Sequence, residues 1–397
     1  MVSVTSRRSA RSTAPVKSYA EEGAADMDVD SDASIDDSDD ENNVPNKAAA
    51  SKAKMKKPAA AARKKRSQNL NATVVASNVD MRKLIQADEK NVLLTALLSK
   101  KASVESIAMD LIERHNKDAN AAQCELINAL FRSVGGLATC EIDPATHNLQ
   151  NIDDDQWATL ITNVVADMQS AVPNQVLVTA SKKPSSKQAA AFLNSYKALW
   201  FQVADAALTS GANATSEAAS NSDAPTAARL DVSLVRELLN RVIELVGVGQ
   251  PDIRYAATLA SFEMARAVLS RIVSLGDKLS VAERQMSAAK GARATSMKQQ
   301  VEALKSVIAE MEELVTGPVY SVIFMHRYRD SNEFIRIMCL ENLAASIVLR
   351  PGLFLSDKYL KYFGWMLSDT NAAVRCAALD GLTLPFETVE ARGGSDA

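Results

Sequence analysis

Toward the C-terminal end of the chain one side-chain pattern is written twice. Asp330, Ile335, Arg336, Cys339 and Leu343 return at the same internal spacing as Asp369, Val374, Arg375, Ala378 and Leu382. A pattern that recurs after ~40 residues marks a structural unit used again. Within each copy a β-branched residue, a small residue and a Leu stand at i, i+4 and i+8, which is one face of a helix. Such a unit cannot bury that face alone and must stack on the next. The Asp is a candidate cap for the second helix of the unit, and the Arg is placed to bridge adjacent units. An echo at Ile253, Arg254 and Ala257 falls roughly two repeat lengths upstream.

This is the signature of HEAT repeats. The expected fold is all-α: a HEAT-repeat-like α-solenoid with a long projecting helical hairpin and a disordered N-terminal tail. Composition agrees, because 47% of the residues are hydrophobic, Gly and Pro number only 14 and 11, and 5% aromatic content argues against an all-β sandwich. Cys124, Cys140, Cys339 and Cys376 lie far apart, which reads as reduced thiols of an intracellular protein. The apolar runs are too short and too closely flanked by charge to span a bilayer, so a soluble chain without a membrane partner is expected.

The tail carries two opposite charges. From Glu21 to Glu41 every charged residue is acidic; from Lys47 to Arg66 every one is basic. Neither block has the apolar surface to fold. The basic block splits into Lys52, Lys54, Lys56, Lys57 and Arg63, Lys64, Lys65, Arg66 across an Ala/Pro spacer, the form of a two-part nuclear import signal; a loose phosphate-binding linker has the same chemistry. Ser34 and Ser38 each have an acid three residues on, as acid-directed phosphorylation requires. The Arg/Ser-rich opening is similar to an organelle transit peptide, but it is short, poorly amphipathic and followed at once by acids.

The organisation expected is a tail over 1–68, a helical region over 69–208, a flexible loop over 209–229, a helical region with a long hairpin over 230–320, HEAT repeats over 321–385 and a polar tail over 386–397. Apolar stripes at Val104, Ile107, Leu111, Ile112 and at Leu126, Ile127, Leu130, Phe131 predict a helix pair that Gly135 and Gly136 stop. Two long periodic stretches flank KGARATS, where Gly291 breaks the helix, and predict the hairpin. Beyond Leu382 the chain reaches Pro385 and the polar ETVEARGGSDA, which leaves the last apolar face uncovered and reads as a fragment or an incomplete gene model.

Two strings carry a family resemblance: HRYRDSNEFIRIMCLENL at His326 to Leu343 and FLSDKYLKYFGWMLSDTNAAVR at Phe354 to Arg375. Together they resemble the stromalin conservative domain of the stromal-antigen (stromalin) subunit of cohesin, and the segments Val104 to Gly136 and Arg254 to Leu275 are similar to that family's N-terminal region. The resemblance implies a nuclear, chromatin-bound scaffold for sister-chromatid cohesion and chromosome organisation, with three kinds of partner. These are the kleisin subunit, DNA, and regulators such as shugoshin that carry short aromatic, acid-flanked peptide motifs. Family members are much longer than this chain, and the missing solenoid includes most of what grips the kleisin.

The matching peptide-binding positions are Tyr328, Arg329, Asp357, Lys361 and Trp365. The residues themselves agree in part, since Asp357, Lys361 and Trp365 share a helical face, and cations beside an aromatic suit an aromatic-acidic ligand. The same three residues also read as a core Trp beside a helix ion pair. The DNA-binding candidates are Lys182, Lys183 and Lys187, a dense basic cluster matched in the folded part only by the hairpin's Arg284, Lys290, Arg293 and Lys298.

No GxxxxGK[ST], GxGxxG or GxSxG motif is present. His115, Cys124, Cys140 and His147 fit no common zinc spacing. A non-enzymatic chain without cofactor or metal is therefore expected. The alternatives are another nuclear HEAT-repeat adaptor, such as a condensin-type or transport scaffold, and an enzyme on a helical frame with an unrecognised site. The strings HRYRD and YLKYFGW discriminate, because a generic repeat needs neither.

Overall fold

The computed structural model describes residues 91–99, 101–136, 141–170, 176–181, 186–214 and 232–393. All of them belong to one compact unit, Ser67–Ala397. The charged tail with Ser34 and Ser38, the thiol of Cys140, and Lys182 and Lys183 lie outside the described residues.

Every regular element among those residues is helical. In chain order the α-helices of eight or more residues are α1 (Val92–Ser99), α2 (Val104–Lys117), α3 (Ala119–Ser133), α4 (Asp154–Ser170), α5 (Lys187–Ala214), α6 (Ser233–Val246), α7 (Pro251–Ala288), α8 (Ala292–Leu314), α9 (Glu333–Leu349), α10 (Asp357–Met366) and α11 (Ala372–Gly393), with single turns at Met325–Arg327 and Pro351–Phe354. The boundaries follow from local chemistry. The Ser103 hydroxyl accepts from the Ser106 amide at the start of α2, and the Asp118 carboxylate accepts from the Ala121 amide at the start of α3. After α3, Gly135 takes a φ of 97° and the Gly136 amide turns back onto the Phe131 carbonyl at 2.9 Å, the stop expected from the glycine pair.

The helices form an α-solenoid around one continuous apolar core. α5 packs on α7, α7 on α9 and α9 on α11, so the second helices of successive pairs lie side by side. Two of these helices also pack on the helix that precedes them, α7 on α6 and α11 on α10, while α5 packs on α2. α11 stays helical through Pro385 to Gly393.

The hairpin is present and long. α7 runs for 38 residues, and its buried positions become sparse after Leu275. α8 starts burying side chains only at Val301. Nothing from 283 to 300 is buried; half-buried Met286 packs on the edge of the core, and the residues around Gly291 are exposed. α8 then passes into a π-helical stretch, Val315–Phe324, that contains Pro318. A proline inside a helix removes one amide donor and crowds the preceding turn, and the widened π turn absorbs both effects.

Between repeats runs a ladder of Arg and Asp. Arg336 donates from Nε and Nη2 to the two carboxylate oxygens of Asp369 at 2.8 and 2.9 Å, as the sequence spacing implied. Its Nη1 meanwhile reaches the carbonyl of Asp330 at 2.7 Å, which closes the turn before its own helix. Arg375 repeats that closure on the carbonyls of Asp369 and Thr370. Arg254 does the same on Val248 and Gly249, and grips Asp330 with both remaining nitrogens at 3.0 Å. The upstream echo is thus the neighbouring unit in space. The extra chain between the two is spent on the hairpin.

One expectation is corrected here. The cap of α9 is Asn332, whose side-chain oxygen accepts from the amides of Phe334 and Ile335; Asp330 is not the cap. Asp330 instead accepts from the Asn332 amide at 2.8 Å and points inward to the arginines. Asp369 and Asn371 divide the work in the same way. The reason is geometric: a cap oxygen must face the helix axis, whereas the ladder needs a carboxylate that faces the arginine of the preceding unit.

Candidate functional site

A chain of aromatic rings leads from the core to the surface of the second repeat. Tyr320 is fully buried at its base, with its hydroxyl donating to Ser346 Oγ at 2.6 Å and its ring 4.6 Å from that of Phe354. Burial raises its phenol pKa, so it acts as a fixed hydrogen-bond donor. Phe324 follows one helical turn on at 5.5 Å, then Tyr328, stacked on Phe324 at 5.7 Å with an interplanar angle of 14°. From the facing α10, Tyr362 meets Phe324 and Tyr328 edge-on, both at 4.9 Å.

Trp365 ends the series. Its indole is 6.4 Å from the Tyr328 ring and perpendicular to that of Tyr362 at 5.3 Å, and the residue remains 49% exposed. This exposure removes the reading of Trp365 as a core residue. Two cations flank the indole. The Arg329 guanidinium lies 4.9 Å from the Tyr328 ring centre and 5.7 Å from that of Trp365, and Lys361 Nζ lies 5.2 Å from Trp365 and 5.4 Å from Tyr362. Both cations are exposed. Asp357 opens α10, also exposed, as the acid of its first turn.

The structure therefore brings Tyr328, Arg329, Lys361 and Trp365 into one platform, with Asp357 at the start of the same helix. Tyr328 is only 3% exposed and supports the indole from below. Tyr362 was missed as a site residue, although it stands three residues before Trp365. Met325 was missed as well; it is 42% exposed, and the Tyr362 hydroxyl points to its sulfur. An aromatic side chain laid on the indole would meet an apolar face and two cations. Its flanking carboxylates would find charge complements within reach.

Of the basic cluster, Lys187 is exposed at the first position of α5. The loop ahead of it is tied to the repeats. The Thr179 hydroxyl and Ala180 amide donate to Asp252, and Asn332 donates to the Ala180 carbonyl. Cys124 of the rejected zinc set is a buried thiol pushed up to about 12 by that burial, then by Asp118 and Asp143. Burial likewise lowers the pKa of His115.

Residues 329–394 match the stromalin conservative domain, which opens on Arg329 and includes Trp365. Sister-chromatid cohesion protein 3 of Arabidopsis thaliana is 34% identical over 142 residues, 34% of this chain and 13% of that protein. Cohesin subunit SA-3 of Mus musculus is 23% identical over 371 residues, 91% of this chain and 27% of that protein. The chain carries a stromalin conservative domain at 329–394 and is similar to cohesin subunits of this kind. A solved structure of cohesin subunit Scc3 from Z. rouxii, residues 88–1035, shares the α-solenoid fold described above. Its TM-score is 0.57 at 22% identity, over 76% of this chain and 34% of that one. The chain thus corresponds to roughly a quarter of the mouse relative and a smaller part of the plant one.

Proposed function

We propose that this chain is a scaffold of the cohesin complex that serves sister-chromatid cohesion and chromosome organisation in the nucleus, and that its Trp365 platform docks short aromatic peptides flanked by acids. One observation carries the reading: a half-exposed indole, braced by Tyr328 and Tyr362, lies between the cations of Arg329 and Lys361. A structural Trp in a solenoid has no need of two charged neighbours and an open face. A docking residue needs all of these.

The experiment is titration of the full chain with a fluorescent peptide holding one aromatic residue between acids. Trp365→Ala should weaken binding by about 2 kcal/mol or more, roughly thirty-fold. Unchanged affinity in a folded variant would remove the site.

Two further partners complete the proposal. The kleisin subunit would bind along the same solenoid. Duplex DNA would meet Lys182, Lys183 and Lys187, next to a loop whose anchoring on Asp252 and Asn332 limits the freedom lost on binding. Charge reversal at Lys182 and Lys183 should lower DNA affinity and flatten its salt dependence. Salt-insensitive binding would argue against a phosphate contact there.

A further inference from the structure

The far end of the α7–α8 hairpin carries Arg284, Lys290, Arg293 and Lys298, all exposed, and no acid stands between the first and the last. The nearest acid, Glu283, is held by Lys305 Nζ at 3.0 Å, so it subtracts little from the field of the four cations. Arg284 and Lys298 flank Gly291 at equal sequence distances, one on each helix. They stand at a common level roughly 8 Å behind Lys290, in the turn, and Arg293, in the first turn of α8. Two tiers at that spacing span about three phosphates at ~3.4 Å of axial rise per nucleotide.

We infer that this hairpin tip is a second contact for duplex nucleic acid, which grips the phosphate backbone without reading bases. Three observations favour that ligand over an acidic protein. Protein interfaces draw most of their energy from buried apolar anchors, and among the described residues near this end only Val281, behind the basic tiers, is a well exposed large apolar residue, with Met286 and Met297 half-buried. A polyelectrolyte needs no such anchor, because displaced counterions supply the driving force for each charge that is paired. No residue from 283 to 300 is buried, so the tip is open to a wide, stiff rod from several sides. A two-helix tip is also too broad for a major groove about 12 Å wide, which confines it to the backbone.

The tip is far in sequence from Lys182, Lys183 and Lys187, so the two surfaces can be tested apart. The test is binding of a random-sequence 30-bp duplex to the full chain at a series of salt concentrations. The variants are R284Q/K290Q/R293Q/K298Q and, separately, K182Q/K183Q/K187Q. Thermal unfolding and far-UV circular dichroism serve as folding controls. Neutralising the tip should weaken binding at least ten-fold at low salt and reduce the slope of log K against log salt by about three. Loss in the lysine variant alone, with the tip variant unchanged, would overturn the tip and leave the earlier surface standing. An unchanged slope in both would overturn the two together. Binding of poly-glutamate to the tip as tight as that of the duplex, at matched salt, would replace nucleic acid with an acidic protein as its ligand.

Discussion

Arg254 and Asp330 are 76 residues apart in sequence, yet guanidinium and carboxylate meet through two hydrogen bonds of 3.0 Å each. The pair joins the first turn of α7 to the turn that precedes α9. Arg327 adds a third contact to the same carboxylate at 2.6 Å. The Asp330 side chain is 1% exposed, so water offers no substitute partner if the pair is broken.

Asp330→Asn should therefore destabilise the fold by about 3–5 kcal/mol, because it leaves Arg254 buried without its counter-charge. Asp369→Asn should cost less, since its side chain and that of Arg336 are more exposed, at 9% and 13%. Urea unfolding followed by circular dichroism ranks the two. Equal small losses would show that the ladder contributes little.

The same carboxylates set a pH dependence. Burial by itself would raise the Asp330 pKa. Hydrogen bonds from Arg254 and the Asn332 amide, with the charges of Arg254 and Arg327, outweigh burial and hold it below the usual range. Asp369 is lowered in the same sense by Arg336, the Asn371 amide and Arg375. Groups depressed in the folded state stabilise it fully above the unfolded carboxylate pKa, about 4, and lose that contribution as pH falls through the folded value. Stability should thus hold level above about pH 5 and fall in acid, and the penalty of Asp330→Asn should shrink along with it. A penalty independent of pH would contradict this.

Trp365 should separate binding from stability. With the residue half exposed, Trp365→Ala should shift the midpoint of thermal unfolding far less than Phe363→Ala, whose ring is fully buried and whose loss should cost about 3–5 kcal/mol. Comparable shifts for both would mean that the indole is structural. Lys361→Glu should weaken an acid-flanked peptide most at low salt and progressively less as salt rises.

Gly381 lies where α11 presses on α10. A β-carbon there would overlap the Phe363 ring, which is fully buried. Gly381→Ala should cost about 1–3 kcal/mol in spite of alanine's better helix propensity. A gain in thermal midpoint would show that the ring can move.

Much of the fold was legible because a repeat states its packing face more than once. Ile335, Cys339 and Leu343 predicted a buried stripe, and all three are buried. The hairpin was legible from Gly291 and the periodicity on both sides. The choice between Asp330 and Asn332 as cap was not, because both residue types cap helices equally well and the decision rests with Arg254 from another unit. Tyr362 was hidden for a related reason. Its role is set by Phe324 and Tyr328, from another element, whose rings it meets edge-on beneath the indole. Lys182 and Lys183 lie outside the described residues, so the basic cluster rests on sequence and on the position of Lys187.

The lock between Arg254 and Asp330 has a bearing on tolerance. It is closed at the root of the hairpin, so the exposed arm between 283 and 300 can change length without disturbing the register of the stack below. Entropy charges only logarithmically for a longer excursion, about 0.6 kcal/mol per doubling. Gly291 is accordingly a natural splice point. A foreign domain could be inserted there, or the arm shortened in steps, while the ladder below keeps its rungs.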